Sequence, residues 1–242
     1  MRIALLGMGR LGRTLAPALE RAGHEVLRWR RGDPFPTADI RWLTVRDDAV
    51  AGLAAALPPG GVVLHASGAL GCEVLRPHYP AGSLHPLMTF PGPEVTSPPL
   101  AGLPAAVAGD PDARQAAQAL CVSLGLVPFE VPGDRRLYHA ACTIAGNLPT
   151  LLLVEAARLL AVAGVTEEEP LRLLLPLARA ALENVDRVGA ARALTGPLAR
   201  GDDATLRAHV EALAGHDAPL AQIYAALCAR AARDRVPDPG RP

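Results

Sequence analysis

Three polar side chains, His139, Thr143 and Asn147, recur at every fourth residue in a stretch that is otherwise small or apolar. On an α-helix that spacing drifts by only about 80° from first to last, so all three can look into one cleft. Ala140, Ala141, Ala145 and Gly146 beside them are small, which leaves room for a ligand or for close helix packing. An imidazole gains or loses its proton near neutral pH, so His139 could serve as an acid or base, with Thr143 and Asn147 holding the group that reacts. The alternative for His139 is a core histidine that bonds a carbonyl. His85, in Ser83-Leu84-His85-Pro86, is a second candidate acid or base, and Pro86 fixes the backbone after it. Ser67, in Leu64-His65-Ala66-Ser67-Gly68-Ala69-Leu70, follows an apolar strand and offers a hydroxyl to a ligand; a Ser-Gly turn explains it equally. His65 is expected to pack within its strand, and His24, His78, His209 and His216 to lie at the surface.

The elements that must position these groups begin at the amino terminus. Ile3 to Leu6 form a short apolar strand, followed by Gly7, Met8, Gly9, Arg10, Leu11 and Gly12, a glycine-spaced turn opening a helix. Such a turn seats a dinucleotide pyrophosphate: Gly7 permits the tight turn, Gly9 lets backbone approach phosphate oxygens, and Gly12 lets the helix pack on the strand. The phosphates would face bare helix N–H groups. Leu11, Leu15, Ala18, Leu19 and Ala22 recur at helical spacing, Gly23 stops the helix, and His24 to Trp29 supply a second strand. A site for NAD usually carries Asp or Glu at the end of that strand to hold the ribose 2′-hydroxyl. Here the chain reads Arg28-Trp29-Arg30-Arg31-Gly32, and guanidinium groups match a 2′-phosphate in charge and fork geometry, so the expected cofactor is NADP rather than NAD. The alternative is that Arg30 and Arg31 belong to a solvated loop. Val45, at the end of a third strand, and Ser67, facing the nicotinamide amide or the substrate oxygen, complete the expected cofactor contacts.

At 242 residues and 50% hydrophobic, the chain can bury a core and form two compact units. Its formal net charge of zero gives no electrostatic reason to expect nucleic acid or an anionic membrane as partner. An apolar signal segment is not expected, because Gly7 interrupts the first strand. The stretch from Leu148 to Val165 carries Glu155 and Arg158 and reads as a core helix rather than a membrane span. Cys72, Cys121, Cys142 and Cys228 stand apart, which fits a reduced cytoplasm and gives no metal site. The basic residues are all arginine, which removes Schiff-base chemistry and any lysine acid.

Parallel alternation is the simplest account of the first half. A third strand is expected at Asp39 to Val45, a helix near Asp47 to Leu57 and a strand at Gly61 to His65. The segment Ala81 to Pro86 follows, then a loop with Pro91, Pro93, Pro98, Pro99 and Pro104. A strand at Ala105 to Ala108, a helix near Pro111 to Leu124 and a strand at Leu126 to Val131 come next. Strand signals stop at Pro132-Gly133, which places a domain boundary there: residues 1–133 bind the dinucleotide, 134–235 form a helical substrate and dimerisation domain, and 236–242 are a disordered tail. Asp134 can cap a helix running into Asn147, with a kink at Pro149. Thr166 and Glu169 form a possible capping box, and further helices are expected near Asp203 to Ala214 and Ala218 to Asp234. Broad apolar faces on these helices suggest a homodimer through the C-terminal domain.

Four ordered motifs, Leu64-His-Ala-Ser-Gly-Ala-Leu70, Gly82-Ser-Leu-His-Pro-Leu-Met-Thr-Phe90, Tyr138-His-Ala-Ala-Cys-Thr-Ile-Ala-Gly-Asn147 and Ala193-Leu-Thr-Gly-Pro-Leu-Ala-Arg-Gly-Asp202, together resemble the Rossmann-like proteins with a C-terminal domain of unknown function, the DUF2520 family. That group is similar to the 6-phosphogluconate and β-hydroxyacid dehydrogenase superfamily, to prephenate dehydrogenases and pyrroline-5-carboxylate reductases, and to coenzyme F420-dependent NADP reductases. The resemblance implies an α/β architecture, with an N-terminal Rossmann dinucleotide-binding domain and an all-helical C-terminal domain that usually dimerises, and an active cleft between them. β-Hydroxyacid dehydrogenases use a lysine on the first interdomain helix; His139 is the nearest substitute here. Ser67, His85 and Asn147 could play the serine, histidine and asparagine parts of prephenate dehydrogenases. Family members often have Gln where Met88 stands and a bulkier residue in place of Pro149. The expected function is a cytoplasmic NADP(H)-dependent oxidoreductase moving hydride to or from a small carbonyl, hydroxyl or imine substrate. His139 or His85 would be the acid or base, Asn147 and Ser67 would hold the reacting group, and Arg200 would pair with an acidic substrate. Two alternatives stay open: an F420-dependent NADP reductase, and a non-catalytic NADP-responsive binding protein.

Overall fold

A computed structural model of the chain describes residues 1–92, 99–165 and 169–233. Pro93, Pro98, Thr166 of the expected capping box, Asp234 and the tail 236–242 lie outside the described residues. Two compact units divide at Thr150 and Leu151.

The first unit is built on a seven-stranded sheet. Its strands are β1 (Arg2–Leu6), β2 (Glu25–Trp29), β3 (Ile40–Leu43), β4 (Val62–His65), β5 (Ala81–Pro86), β6 (Pro104–Gly109) and β7 (Val127–Glu130), in the order β2-β1-β3-β4-β5-β6-β7. Helices α1 (Arg10–Arg21), α2 (Asp47–Ala56) and α3 (Pro111–Leu124) cover it, and a single 3-10 turn at Cys72–Leu75 stands between β4 and β5. Alternate residues of β1 enter different cores, as strand geometry requires: Ile3 and Leu5 join Leu15, Leu19 and Trp42, while Ala4 and Leu6 join Val50 and Ala54. Burial on both faces is what a parallel sheet needs.

From β2 to β5 every neighbouring pair is parallel, and the pairings Leu6 with Trp29, Leu6 with Leu43, and Leu43 with His65 align the carboxyl ends along one edge. The chain passes from β1 to β2 on one side, then to β3 on the other. Ligands of open α/β sheets bind at such a reversal. The parallel alternation does not extend further: β6 runs antiparallel to β5. No helix occurs among the described residues between these two strands, so the chain returns alongside β5 without the crossover that a parallel neighbour demands. β7 is again parallel to β6, joined through α3.

The sheet is followed by α4 (Arg135–Val162), a 28-residue helix that contains Pro149. Asp134 caps it, its carboxylate accepting the Arg136 amide at 2.8 Å. The first unit ends within this helix, so His139, Thr143 and Asn147 belong to it. The second unit comprises the remainder of α4 with α5 (Pro170–Val188), two short helices α6 (Ala190–Ala193) and α7 (Gly196–Arg200) that sequence periodicity does not announce, α8 (Asp203–Ala214) and α9 (Ala218–Arg233). Asp202 caps α8 by accepting the Thr205 amide and hydroxyl at 3.1 and 2.8 Å. The expectation of a core helix at Leu148 to Val165 is corrected: no residue of α4 is buried in the single chain, and Leu151, Leu152 and Val154 are exposed.

Candidate functional site

A crevice of about 790 Å³ opens at the reversal point of the sheet. Gly7 and Met8 after β1, Arg30 and Arg31 after β2, and Val45 after β3 all line it, so five residues expected to touch a cofactor fall together. Trp29 and Phe35 form one wall, stacked with centroids 5.2 Å apart and rings 16° from parallel. Trp29 donates its indole N–H to the Asp33 carbonyl at 2.9 Å, and the Asp33 carboxylate accepts the Arg30 amide at 2.9 Å, so this acidic group closes the turn. Neither Arg30 nor Arg31 forms a side-chain ion pair among the described residues.

The glycines divide their work sterically. Gly7 has φ +125°, and a Cβ there would lie 2.8 Å from the Thr44 carbonyl oxygen. A Cβ on Gly12 would lie 2.1 Å from the Gly7 carbonyl oxygen, so α1 approaches the turn as only glycine allows. Around Gly9 a Cβ would meet nothing within 4 Å. Gly9 is the N-cap of α1 and has no side chain to occupy the first-turn amides. Arg10 is exposed and Leu11 packs its side chain against the core, leaving its backbone for any ligand contact. Two supports were not legible in sequence: Arg13 donates Nε–H to the Met8 carbonyl at 3.0 Å, and Thr44 donates its hydroxyl to the Gly7 carbonyl at 2.6 Å.

Farther along the same carboxyl edge lies a cluster of imidazoles. His65, fully buried at the end of β4, accepts the Ser67 amide on Nδ1 at 3.2 Å, which leaves its proton on Nε2. Burial and the nearby Arg135 guanidinium push its pKa down to about 4. His85, on β5, sits 2.8 Å from the Tyr138 hydroxyl through Nδ1, with the rings perpendicular at 5.7 Å. Its ring centroid lies 6.2 Å from that of His139. Burial first, then His139 and Arg135, lower the His85 pKa to about 4, so it is neutral at pH 7. Gly68 holds the two rings close, since a Cβ there would meet His139 Cδ2 at 2.7 Å and His85 Nε2 at 3.0 Å. Two of the proposed acid–base groups are thereby neighbours.

Ser67 reaches this edge, and its hydroxyl is used within the turn. It donates to Asp47 Oδ2 at 2.8 Å and accepts the Ala69 and Leu70 amides at 3.1 and 3.0 Å. Thr143 turns its hydroxyl back to the His139 carbonyl at 3.1 Å. Asn147 is exposed on α4, and Arg200, the last residue of α7, is exposed in the second unit. His24 and His78, expected at the surface, are partly buried, His78 bonding the Ala54 carbonyl at 2.8 Å. The residues missed by sequence reasoning are Asp47, Arg135 and Tyr138. Arg135 donates to the Ser67 carbonyl at 2.9 Å and lies 6.0 Å above the Tyr138 ring. Burial raises the Tyr138 phenol above its ordinary range, with Cys142 beside it.

Residues 103–231, more than half the chain, match a family model described as Domain of unknown function (DUF2520). A curated relative, the glycerol-3-phosphate dehydrogenase [NAD(P)+] of Gloeobacter violaceus, is 36% identical over 124 residues. That match spans 44% of this chain and 40% of the relative's length. Among solved structures, a Bacteroides fragilis protein provisionally designated an NADP oxidoreductase superposes with a TM-score of 0.79 at 20% identity, covering 96% of this chain and 98% of the other. An imine reductase of Streptomyces aurantiacus gives a TM-score of 0.64 at 18% identity, covering 96% and 94%. At these identities the superpositions show a shared fold.

Proposed function

The chain belongs to the DUF2520 family, and from that premise we propose that it is an NADP(H)-dependent oxidoreductase that moves a hydride to or from a small carbonyl, hydroxyl or imine substrate. The observation that carries the reading is the crevice at the sheet reversal, where the glycine turn, the aromatic wall and two arginines meet. Its residues fit the coenzyme: open space at Gly9 lies beside first-turn amides that no side chain caps, and Arg30 and Arg31 supply paired donors for a ribose phosphate. The designations of the B. fragilis protein and of the G. violaceus relative support the same cofactor class. Bound there, the nicotinamide coenzyme supplies or accepts the hydride. The chain's own part is to orient the substrate and manage one proton. We assign the proton to His85 or His139, whose ring centroids lie 6.2 Å apart, and the holding of the reacting group to Thr143 and Asn147 on the helix that carries His139. The free cysteines fit a reducing compartment, and we assign the protein to the cytoplasm.

Titration with the two reduced coenzymes tests the reading. NADPH is expected to bind about tenfold or more tighter than NADH, because charge-assisted hydrogen bonds contribute about 1.5–3 kcal/mol each. Replacing both arginines, Arg30→Ala with Arg31→Ala, should remove most of that preference. Equal affinities would defeat the phosphate assignment, and binding of neither coenzyme would defeat the enzyme reading.

We also infer that the protein is a homodimer. In the second unit only Leu206 and Ala221 are buried apolar residues among those described, while Leu177 is 69% and Leu182 66% exposed. Helix α4 is long and apolar enough to cross a membrane, but its first turns contact β5 and the Ser67 turn. A second copy covering the exposed helices accounts for the apolar surface better than lipid does. Light scattering should therefore give twice the 25.2 kDa chain mass, and Leu177→Glu should shift the population to monomer. A wild-type monomer at micromolar concentration would refute the dimer.

A further inference from the structure

The cluster at the carboxyl edge contains two imidazoles 6.2 Å apart whose surroundings differ. Of these two, among the described residues, His85 alone has a hydroxyl against its ring nitrogen: Tyr138 Oη lies 2.8 Å from Nδ1. Perpendicular rings bring the phenol edge to the imidazole, and the Phe129 ring, 6.0 Å from that of Tyr138, backs the phenol from β7. The Arg135 guanidinium also lies over the phenol ring, 6.0 Å from its centroid. Tyr138 therefore has little freedom to turn its hydroxyl elsewhere.

The contact has two polarities. Either the phenol donates to Nδ1, or Nδ1–H donates to the phenol oxygen while the phenol donates to Cys142. An imidazole nitrogen is a much better acceptor than a thiol sulfur, and a phenol is a stronger acid than a neutral imidazole N–H, so the O–H to N polarity wins. That places the His85 proton on Nε2. Nε2 has no hydrogen-bond partner among the described residues and faces Gly68, whose missing side chain leaves it uncovered on that side.

We propose that Tyr138 holds His85 as its neutral Nε2–H tautomer, making His85 a fixed hydrogen-bond donor to the oxygen or nitrogen of the substrate, and that the proton delivered to that atom is carried by His139. The functional half of this assignment rests on the oxidoreductase reading; the tautomer does not. In the reductive direction the substrate heteroatom gains one proton and His139 changes from imidazolium to neutral imidazole, while His85 keeps its own proton. Tyr138 is then a positioning residue. The groups around His85 are consistent with its staying neutral: Arg135 and His139 of α4 oppose a positive charge on it, Asp47 of α2 favours one, and burial outweighs that carboxylate. His65 of β4 also lies within electrostatic reach of His85, and Cys142 of α4 lies beside Tyr138.

The test is nitrogen-15 NMR of the full-length protein labelled at histidine, with resonances assigned by His85→Asn and His139→Gln. At pH 7.5 the expected His85 pattern is a single tautomer, with the proton on Nε2 and an accepted hydrogen bond at Nδ1. In Tyr138→Phe the Nδ1 resonance should shift and the single-tautomer pattern should be lost, giving a mixture. Wild-type His85 with its proton on Nδ1, or Tyr138→Phe with an unchanged pattern, would overturn the proposal. The wild-type spectrum decides the tautomer even if the variant fails to fold. NADPH titration of the same sample separates the two readings. Binding without the Nε2–H tautomer sinks this inference alone, and the tautomer without binding sinks the oxidoreductase reading and leaves the tyrosine lock standing.

Discussion

Gly12→Ala should lower the stability of the first unit by about 3 kcal/mol, whereas Gly9→Ala, three residues earlier in the same turn, should leave stability within about 0.5 kcal/mol and cut NADPH affinity tenfold or more. At Gly12 the new methyl would stand 2.1 Å from the Gly7 carbonyl oxygen and 3.1 Å from the Thr44 hydroxyl. Its first obstacle is backbone, which no rotamer change relieves. Helix α1 would have to lift from β1, and Leu15 and Leu19 would leave a core in which both are fully buried. At Gly9 the backbone is ordinary, with φ −73° and ψ −162°, and a methyl meets nothing within 4 Å. Alanine is therefore free of strain there. The space it fills is where phosphate oxygens must approach the first-turn amides, so the loss falls on binding alone. Urea denaturation and NADPH fluorescence titration of both variants separate the effects. Near-wild-type stability in Gly12→Ala, or undiminished NADPH affinity in Gly9→Ala, would show that the turn is not built as a phosphate seat.

These two glycines also mark how much a linear reading can reach. Spacing alone identified the turn and the Arg30–Arg31 corner, because each depends on residues adjacent in sequence whose chemistry is local. The direction of β6 is not legible: hydrophobic pattern marks a strand but not its polarity, and the proline-rich composition of the β5–β6 connection is the one available clue. Ser67 could be placed at the sheet edge, yet what its hydroxyl touches depends on Asp47, 20 residues earlier and read only as a helix start. Tyr138 stands beside His139 in sequence, but its role is hidden there because its partner His85 is 53 residues away. The role of Arg135 is hidden in sequence for the same reason, its contact with the Ser67 carbonyl spanning 68 residues. Periodicity showed apolar faces on the C-terminal helices, and a core helix was the economical reading of α4. The exposure of Leu151, Leu152 and Val154 in the single chain depends on packing in three dimensions, which no one-dimensional pattern records.

Acid should destabilise the protein earlier than its carboxylates can explain, by about 4 kcal/mol between pH 7 and pH 5 from His65 and His85 together. Each has a folded pKa of about 4 against the usual 6.5, so in this interval the unfolded chain takes up protons that the folded chain refuses. Stability therefore falls as the pH drops below about 6.5 and stops falling from this cause near pH 4, at about 2 kcal/mol per imidazole by pH 5. The carboxylates with depressed pKa values act in a different window. Asp110 and Asp202 are lowered from 3.8, by Arg76 and by the Thr205 backbone, and Asp134 is lowered to about 2 by Arg136. Their contributions are complete above the unfolded value and fade only below it. His24, lowered by burial, adds to the histidine effect in the same direction. Urea midpoints at pH 7.0, 6.0 and 5.0 should show the decline, and His85→Asn should remove about half of it while leaving the region below pH 4 unchanged. A flat profile from pH 7 to pH 5 would mean that water reaches these imidazoles, and with it the cluster would lose the dry surroundings that keep His85 neutral.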